Sequence, residues 1–213
     1  MLIDGLLFDI THFFMEIFLI RHTKPAIEKG TCYGQADLDL VDSFLKEAHD
    51  IKQHLPADID IVYSSPLKRC RQLAEHLFPQ HTIQFDKRLK EINCGEWELK
   101  LWNDLDQRAL KEWMADFVHV CIPGGESYSQ LYDRTTHFFD HLPMHNKIAI
   151  VSHGGVLRSI LSYINGVQLK KSFDVFNLFY GCVIKIEKTN QDFSHSILHN
   201  PPLEKEQHRP SFY

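Results

Sequence analysis

KIAIVSHGGVLRSILSYI, residues 147–164, reads as a strand that turns into a helix across two glycines. Lys147 to Ser152 is short and apolar, as a strand buried on both faces must be, and the helix leaves at Gly154-Gly155. MEIFLIR (15–21), IDIVYSS (59–65) and TIQF (82–85) are strands of the same kind. DSFLKEAHDIKQHL (42–55) puts Phe44, Leu45, Ala48, Ile51 and Leu55 on one helical face. PLKRCRQLAEHLF (66–78) buries Leu67, Cys70, Leu73, Ala74 and Leu77, with Pro66 expected in the first helical turn. Strands alternating with helices imply an α/β fold with a mainly parallel sheet covered on both sides.

Two further amphipathic helices, WNDLDQRALKEWMADF (102–117) and ESYSQLYDRTTHFFDHL (126–142), flank the turn IPGG. With the charged loop 86–99 they are expected to form a helical lid beside the sheet. GCVIKIEKT (181–189) and FSHSILH (193–199) read as a closing antiparallel pair. One domain is expected over 15–200, with 201–213 as a tail. MLIDGLLFDITHFF (1–14) has no basic start, and Asp4 and Asp9 interrupt it, so it is not a secretory signal. Met15 reads as the natural start and the leader as a mis-called extension; a short packing element is the alternative.

A net charge of −5 gives no global case for nucleic acid or an anionic membrane, so any anion site must be local. No apolar run is long enough to span a bilayer. Five scattered cysteines without a C-x-x-C pair fit reduced thiols of the cytoplasm. Fourteen histidines invite a metal reading. The i, i+4 pairs His137/His141 and His195/His199 read as a solvated helix face and an incidental strand spacing. No metal or cofactor is expected.

Three strands end in polar residues: Arg21-His22, Ser64-Ser65 ahead of Lys68, Arg69 and Arg71, and Ser152-His153-Gly154-Gly155. In a parallel sheet such tips share one edge, which is where open α/β folds hold ligands. Helix N-termini and guanidinium forks are two means of holding a phosphate.

The motifs LIRHT (19–23), YSSPLKRCRQLAE (63–75), LKEINCGEWE (89–98), PGGES (123–127) and VSHGGVLRSIL (151–161) together resemble the histidine phosphatase, or phosphoglycerate-mutase-like, superfamily. The resemblance implies a three-layer α/β/α sandwich and a phosphomonoesterase acting on a small phosphorylated metabolite. By it, His22 is the nucleophile, Arg21, Arg69 and His153 clamp the phosphate, and Glu91 is the general acid. Glu96 and Glu98 lie close by; only the family position selects Glu91. R-H-T-K-P departs from the common R-H-G-E-T and lacks the Asn that follows, leaving Gln35 or Thr23 to make that contact beside Gly154. Arg71 and Arg158 are candidates for the rim. Glu126 and Ser127 are either substrate-facing or a helix cap. R-H-T with C-Y-G-Q-A-D (32–37) resembles the α-ribazole-5′-phosphate phosphatase branch, and Tyr33, Trp97, Trp102, Trp113, Tyr128 and Tyr132 are candidate faces for stacking a flat base. Phosphoglycerate mutase, a broad sugar phosphatase and a silent phosphate-binding module are the alternatives.

Overall fold

The computed structural model describes residues 14–190 and 192–202. Its strands are β1 (Phe14–Arg21), β2 (Ile61–Ser64), β3 (Ile83–Phe85), β4 (Lys147–Ser152), β5 (Val183–Thr189) and β6 (Phe193–His199). They form one sheet in the order β3-β2-β4-β1-β5-β6. The first four are mutually parallel, with Arg21 level with Ser152 and Ser64 level with Val151. β5 and β6 add antiparallel strands at the β1 edge.

Alternation along β1 separates two cores. Ile17 and Leu19 pack with Leu131, Phe138 and Phe139 of α4 (Tyr128–Asp140) and with Val156, Leu157 and Ile160 of α5 (Gly154–Asn165). Phe18 and Ile20 face the opposite layer, Ala48 and Ile51 of α1 (Phe44–Lys52) and Cys70, Leu73 and Leu77 of α2 (Lys68–Leu77). This is the expected three-layer sandwich with a mixed, mainly parallel sheet. Burying a side chain of this size contributes about 1.5–3 kcal/mol, so the two faces of β1 carry much of the hydrophobic stabilisation.

Two expectations are corrected. Leu67, in extended conformation, is the N-cap of α2, so Pro66 precedes the helix instead of opening it. The second supposed lid helix, α4, is a layer helix, because Leu131, Phe138 and Phe139 belong to the sheet's own core. The smaller unit beside the sheet contains α3 (Gln107–Ala115), a short α-helix, and 3₁₀ turns at Gly95–Trp97 and Trp102–Asp104. Cys32, Cys94, Trp97, Leu105, Leu110 and Ile122 form its separate core, packed by Trp102 and Trp113. Of the expected leader 1–14, residues 1–13 lie outside the described residues, as do 203–213, whereas Phe14 is the first residue of β1 and pairs with Thr189. No helix among the described residues is long and apolar enough to cross a membrane.

Candidate active site

Parallel register brings the tips of β1 and β4 together. His22 N–H bonds to the Ser152 carbonyl at 2.9 Å, and the rings of His22 and His153 meet edge to face at 5.1 Å. Both are buried. His22 Nδ1 lies 2.7 Å from the Thr23 carbonyl, which only accepts, so Nδ1 carries the proton. Nε2 therefore keeps its lone pair, and Arg69 Nε–H points at it from 3.3 Å.

Arg69 is fully buried at the start of α2. Its other nitrogens donate to the carbonyls of Ala36 (2.9 Å) and Gly34 (2.6 Å), which fixes the fork against the 30–38 loop. Arg21 donates to the Leu178 carbonyl and stacks over Tyr180 at 4.1 Å, while its Nε is buried with no hydrogen-bond partner. The Thr23 hydroxyl is likewise buried and unpartnered. Buried donors of this kind are costly unless something binds them. A Cβ on Gly154 would lie 3.1 Å from Arg158 Nη1 and 3.3 Å from Arg21 Cζ, so glycine there lets guanidinium groups approach the first turn of α5.

His153 Nε2 lies 2.8 Å from the Ser65 hydroxyl at the tip of β2. Burial, reinforced by the charges of Arg69, His22 and Arg21, holds its pKa well below the ordinary histidine value. The shift favours the uncharged imidazole near neutral pH, which carries one N–H in place of a full positive charge.

Glu91 reaches the same edge. Its carboxylate accepts from Gly155 N–H at 3.1 Å, on the first turn of α5, and from Ile92 N–H at 3.0 Å. A Cβ on Gly155 would come within 2.3 Å of Glu91 Oε1, so the second glycine of S-H-G-G is what seats this side chain. Two arginines, two imidazoles, a helix N-terminus and one carboxylate thus surround a single edge of the sheet.

Residues 17–200 match the histidine phosphatase superfamily (branch 1). The chain belongs to this superfamily. It is 32% identical over 176 residues to a metal-independent phosphoserine phosphatase of Arabidopsis thaliana, covering 76% of this chain and 73% of the relative. It is 27% identical over 191 residues to the adenosylcobalamin/alpha-ribazole phosphatase of Escherichia coli K12, covering 84% and 93%. The alpha-ribazole phosphatase structure from Shigella flexneri superposes with a TM-score of 0.78 at 24% identity, over 86% of this chain and 95% of that one, which establishes the shared fold.

Not every expected residue of this histidine phosphatase faces the strand tips. Gln35 turns its side-chain amide to the Glu91 carbonyl at 3.0 Å, and Arg71 is exposed on α2. Arg158 comes close to Gly154, as Arg21 does. Ser127 caps α4 in a capping box with Gln130. Glu126 forms an ion pair with Arg134. Glu96 is exposed. Glu98 accepts from the backbone N–H groups of Gly34, Gln35, Ala36 and Cys94 at 2.6–3.3 Å, and so shapes the loop that anchors Arg69. Asp37 of the same motif accepts from Lys68 N–H at 2.9 Å and caps α2 from a distance.

Of the aromatic candidates, Trp97, Trp102 and Trp113 pack the smaller core, and Tyr128 is buried in the main one. Tyr33 alone reaches the site, where its hydroxyl meets that of Tyr180 at 2.5 Å and its ring lies 5.4 Å from the Arg69 guanidinium carbon. Sequence reasoning missed Arg134 and Tyr180, named Ser65 only as a strand end, and met Glu98 only as a neighbour of Glu91. Only Ser65, at a strand tip, carried a local signal.

The rings of His137 and His141 stack at 4.3 Å on the exposed face of α4, with His137 Nδ1 against Arg88. This is the surface reading of that pair.

Proposed function

We propose that this chain is a phosphomonoesterase working through a phosphohistidine on His22. The observation that carries the reading is the fixed tautomer of His22: Nδ1–H is tied to a carbonyl and Nε2 keeps a lone pair beside Arg69. In the proposed reaction Nε2 attacks phosphorus as the bond to the ester oxygen breaks, and protonated Glu91 gives its proton to that leaving oxygen. The Glu91 carboxylate then takes a proton from water. The water oxygen attacks phosphorus, the P–N bond breaks, and its electron pair returns to Nε2. Arg21, Arg69 and the N–H of His153 steady the phosphoryl oxygens, with the Thr23 hydroxyl and the α5 start at Gly154 adding donors. The arginines supply the positive charge that Mg²⁺ supplies in kinases, so metal independence is part of the proposal.

The proposed substrate is α-ribazole 5′-phosphate, in cobalamin biosynthesis. R-H-T, C-Y-G-Q-A-D and the Escherichia coli relative support it. Phosphoserine is the second reading, favoured by the higher identity to the Arabidopsis enzyme. A cytoplasmic setting fits the five free cysteines. The test is kcat/KM in excess EDTA on α-ribazole 5′-phosphate, phosphoserine, fructose phosphates, mononucleotides and 3-phosphoglycerate, the last also with 2,3-bisphosphoglycerate. Preference for α-ribazole 5′-phosphate is expected. Equal or better hydrolysis of another ester replaces the substrate, phosphoryl exchange between glycerates makes the protein a mutase, and no turnover of any makes it a silent binding module.

A further inference from the structure

Arg134 lies on α4, and no strand-tip motif includes it, yet all five of its N–H donors are spent around Glu91. Nε and Nη2 each reach a different oxygen of Glu126 at 2.9 Å. Nη1 donates to the carbonyls of Arg88 (2.7 Å) and Lys90 (2.6 Å), and Nη2 also donates to the carbonyl of Glu91 itself (2.9 Å). Glu126 in turn accepts from Asn93 N–H at 2.9 Å. The ion pair therefore grips the chain on both sides of Glu91. Both side chains are about one-fifth exposed, which leaves the pair strong enough to hold a loop.

We propose that Arg134, with Glu126, is a positioning residue for proton delivery: it sets where the Glu91 carboxyl meets the leaving oxygen. The inference rests on the acid role proposed for Glu91. A carboxyl on an irregular segment has no helix or strand to fix it, and proton transfer needs an approach of about 2.6–3.2 Å. Three hydrogen bonds from Arg134 to carbonyls of that segment, and one from Asn93 N–H to the paired Glu126, hold the chain that carries the carboxyl.

The reading that separates positioning from bulk stability is the dependence of kcat/KM on leaving-group acidity, because kcat/KM stops at ester cleavage and is blind to the later water step. Alkyl phosphates need a proton on departure; p-nitrophenyl phosphate does not. Arg134→Gln is expected to lower kcat/KM about 10²-fold on alkyl esters and under about 3-fold on p-nitrophenyl phosphate, reproducing the pattern of Glu91→Gln. Adding Arg134→Gln to Glu91→Gln should cost little more, since both act on one proton. Glu126→Gln, which retains an acceptor, should give the same pattern more weakly and covers the case in which Arg134→Gln does not fold.

If Glu91→Gln loses equally on both esters, Glu91 is not the acid and the underlying reading fails. If Glu91→Gln is selective while the folded Arg134 and Glu126 variants lose equally on both esters, or lose nothing, the positioning inference alone is overturned. Failure of both variants to fold makes the pair a stability element and also overturns it.

Discussion

The candidate site has two rims of different construction. One is made of strand tips: Arg21, His22, Ser65 and His153 stand where parallel register puts them, with β1 and β4 level at Arg21 and Ser152. The other is made of connections. Residues 30–38 and 86–98 have little regular structure, and side chains bonded to backbone give them their shape. Glu98 gathers four N–H groups and Arg134 three carbonyls. The first rim draws its rigidity from the sheet, which leaves its side chains available for the proposed chemistry. The second has to spend charged side chains on holding itself together, and only then can Glu91 and Arg69 be placed.

The largest effect should come from the tip rim. His22→Ala is expected to cut turnover at least about 10⁴-fold while leaving thermal stability near wild type and phosphate binding detectable. Acid quenching with labelled substrate should trap a phosphorylated wild-type protein and none from the variant. Phosphorylation at another residue would reassign the nucleophile.

Glu98→Ala probes the connecting rim. Stranding its backbone donors should destabilise the protein by about 2–4 kcal/mol, and freeing the 34–36 loop that grips Arg69 should lower kcat/KM about 10²-fold. Retained stability with lost activity would transfer Glu98 from scaffold to chemistry.

The pH dependence at His153 is smaller. Its folded pKa is depressed by burial, so below the unfolded value of about 6.5 the unfolded chain takes up a proton that the folded chain refuses. Stability is therefore highest above about pH 6.5 and falls with acidification, by up to about 1.4 kcal/mol per pH unit, until the folded pKa is passed. Thermal melts of His153→Asn should show a shallower decline between pH 7 and 5 than the wild type. Parallel curves would mean that His153 is protonated in the fold.

Thiol labelling should show the least change. Burial pushes Cys70 up to about 12 and Cys182 up to about 11, whereas Cys121 is exposed. One thiol per native chain should react quickly with iodoacetamide, with activity retained. Rapid modification of Cys32 or Cys94 would show that the smaller core opens readily.

The tip rim was legible because its signals are local. A run of apolar residues ending in Arg-His, or in Ser-His-Gly-Gly, marks both the strand and its end. The connecting rim was legible only through resemblance to a family, and even then with misplaced roles. Gln35 belongs to the Glu91 backbone, Glu126 to Arg134, and the tryptophans to their own core. α4 shows the same limit: its amphipathic spacing revealed a helix but not that the sheet, rather than the smaller unit, would receive its apolar face.

By itself the sequence determined the α/β class, the strands whose tips form the candidate site, and His22, Arg69 and His153 as residues of one edge. Periodicity and strand termination depend on near neighbours, so they can be read along the chain. Tertiary structure alone decided which glutamate would be which. Glu91 is held by Gly155, 64 positions away, Glu98 by Gly34 across the same separation, and Glu126 by Arg134 at 8. In the unfolded chain all three are similar carboxylates in water. They become a candidate acid, a loop anchor and a clamp only after folding brings different donors to each, because hydrogen bonds act over about 3 Å of space and take no account of distance along the chain.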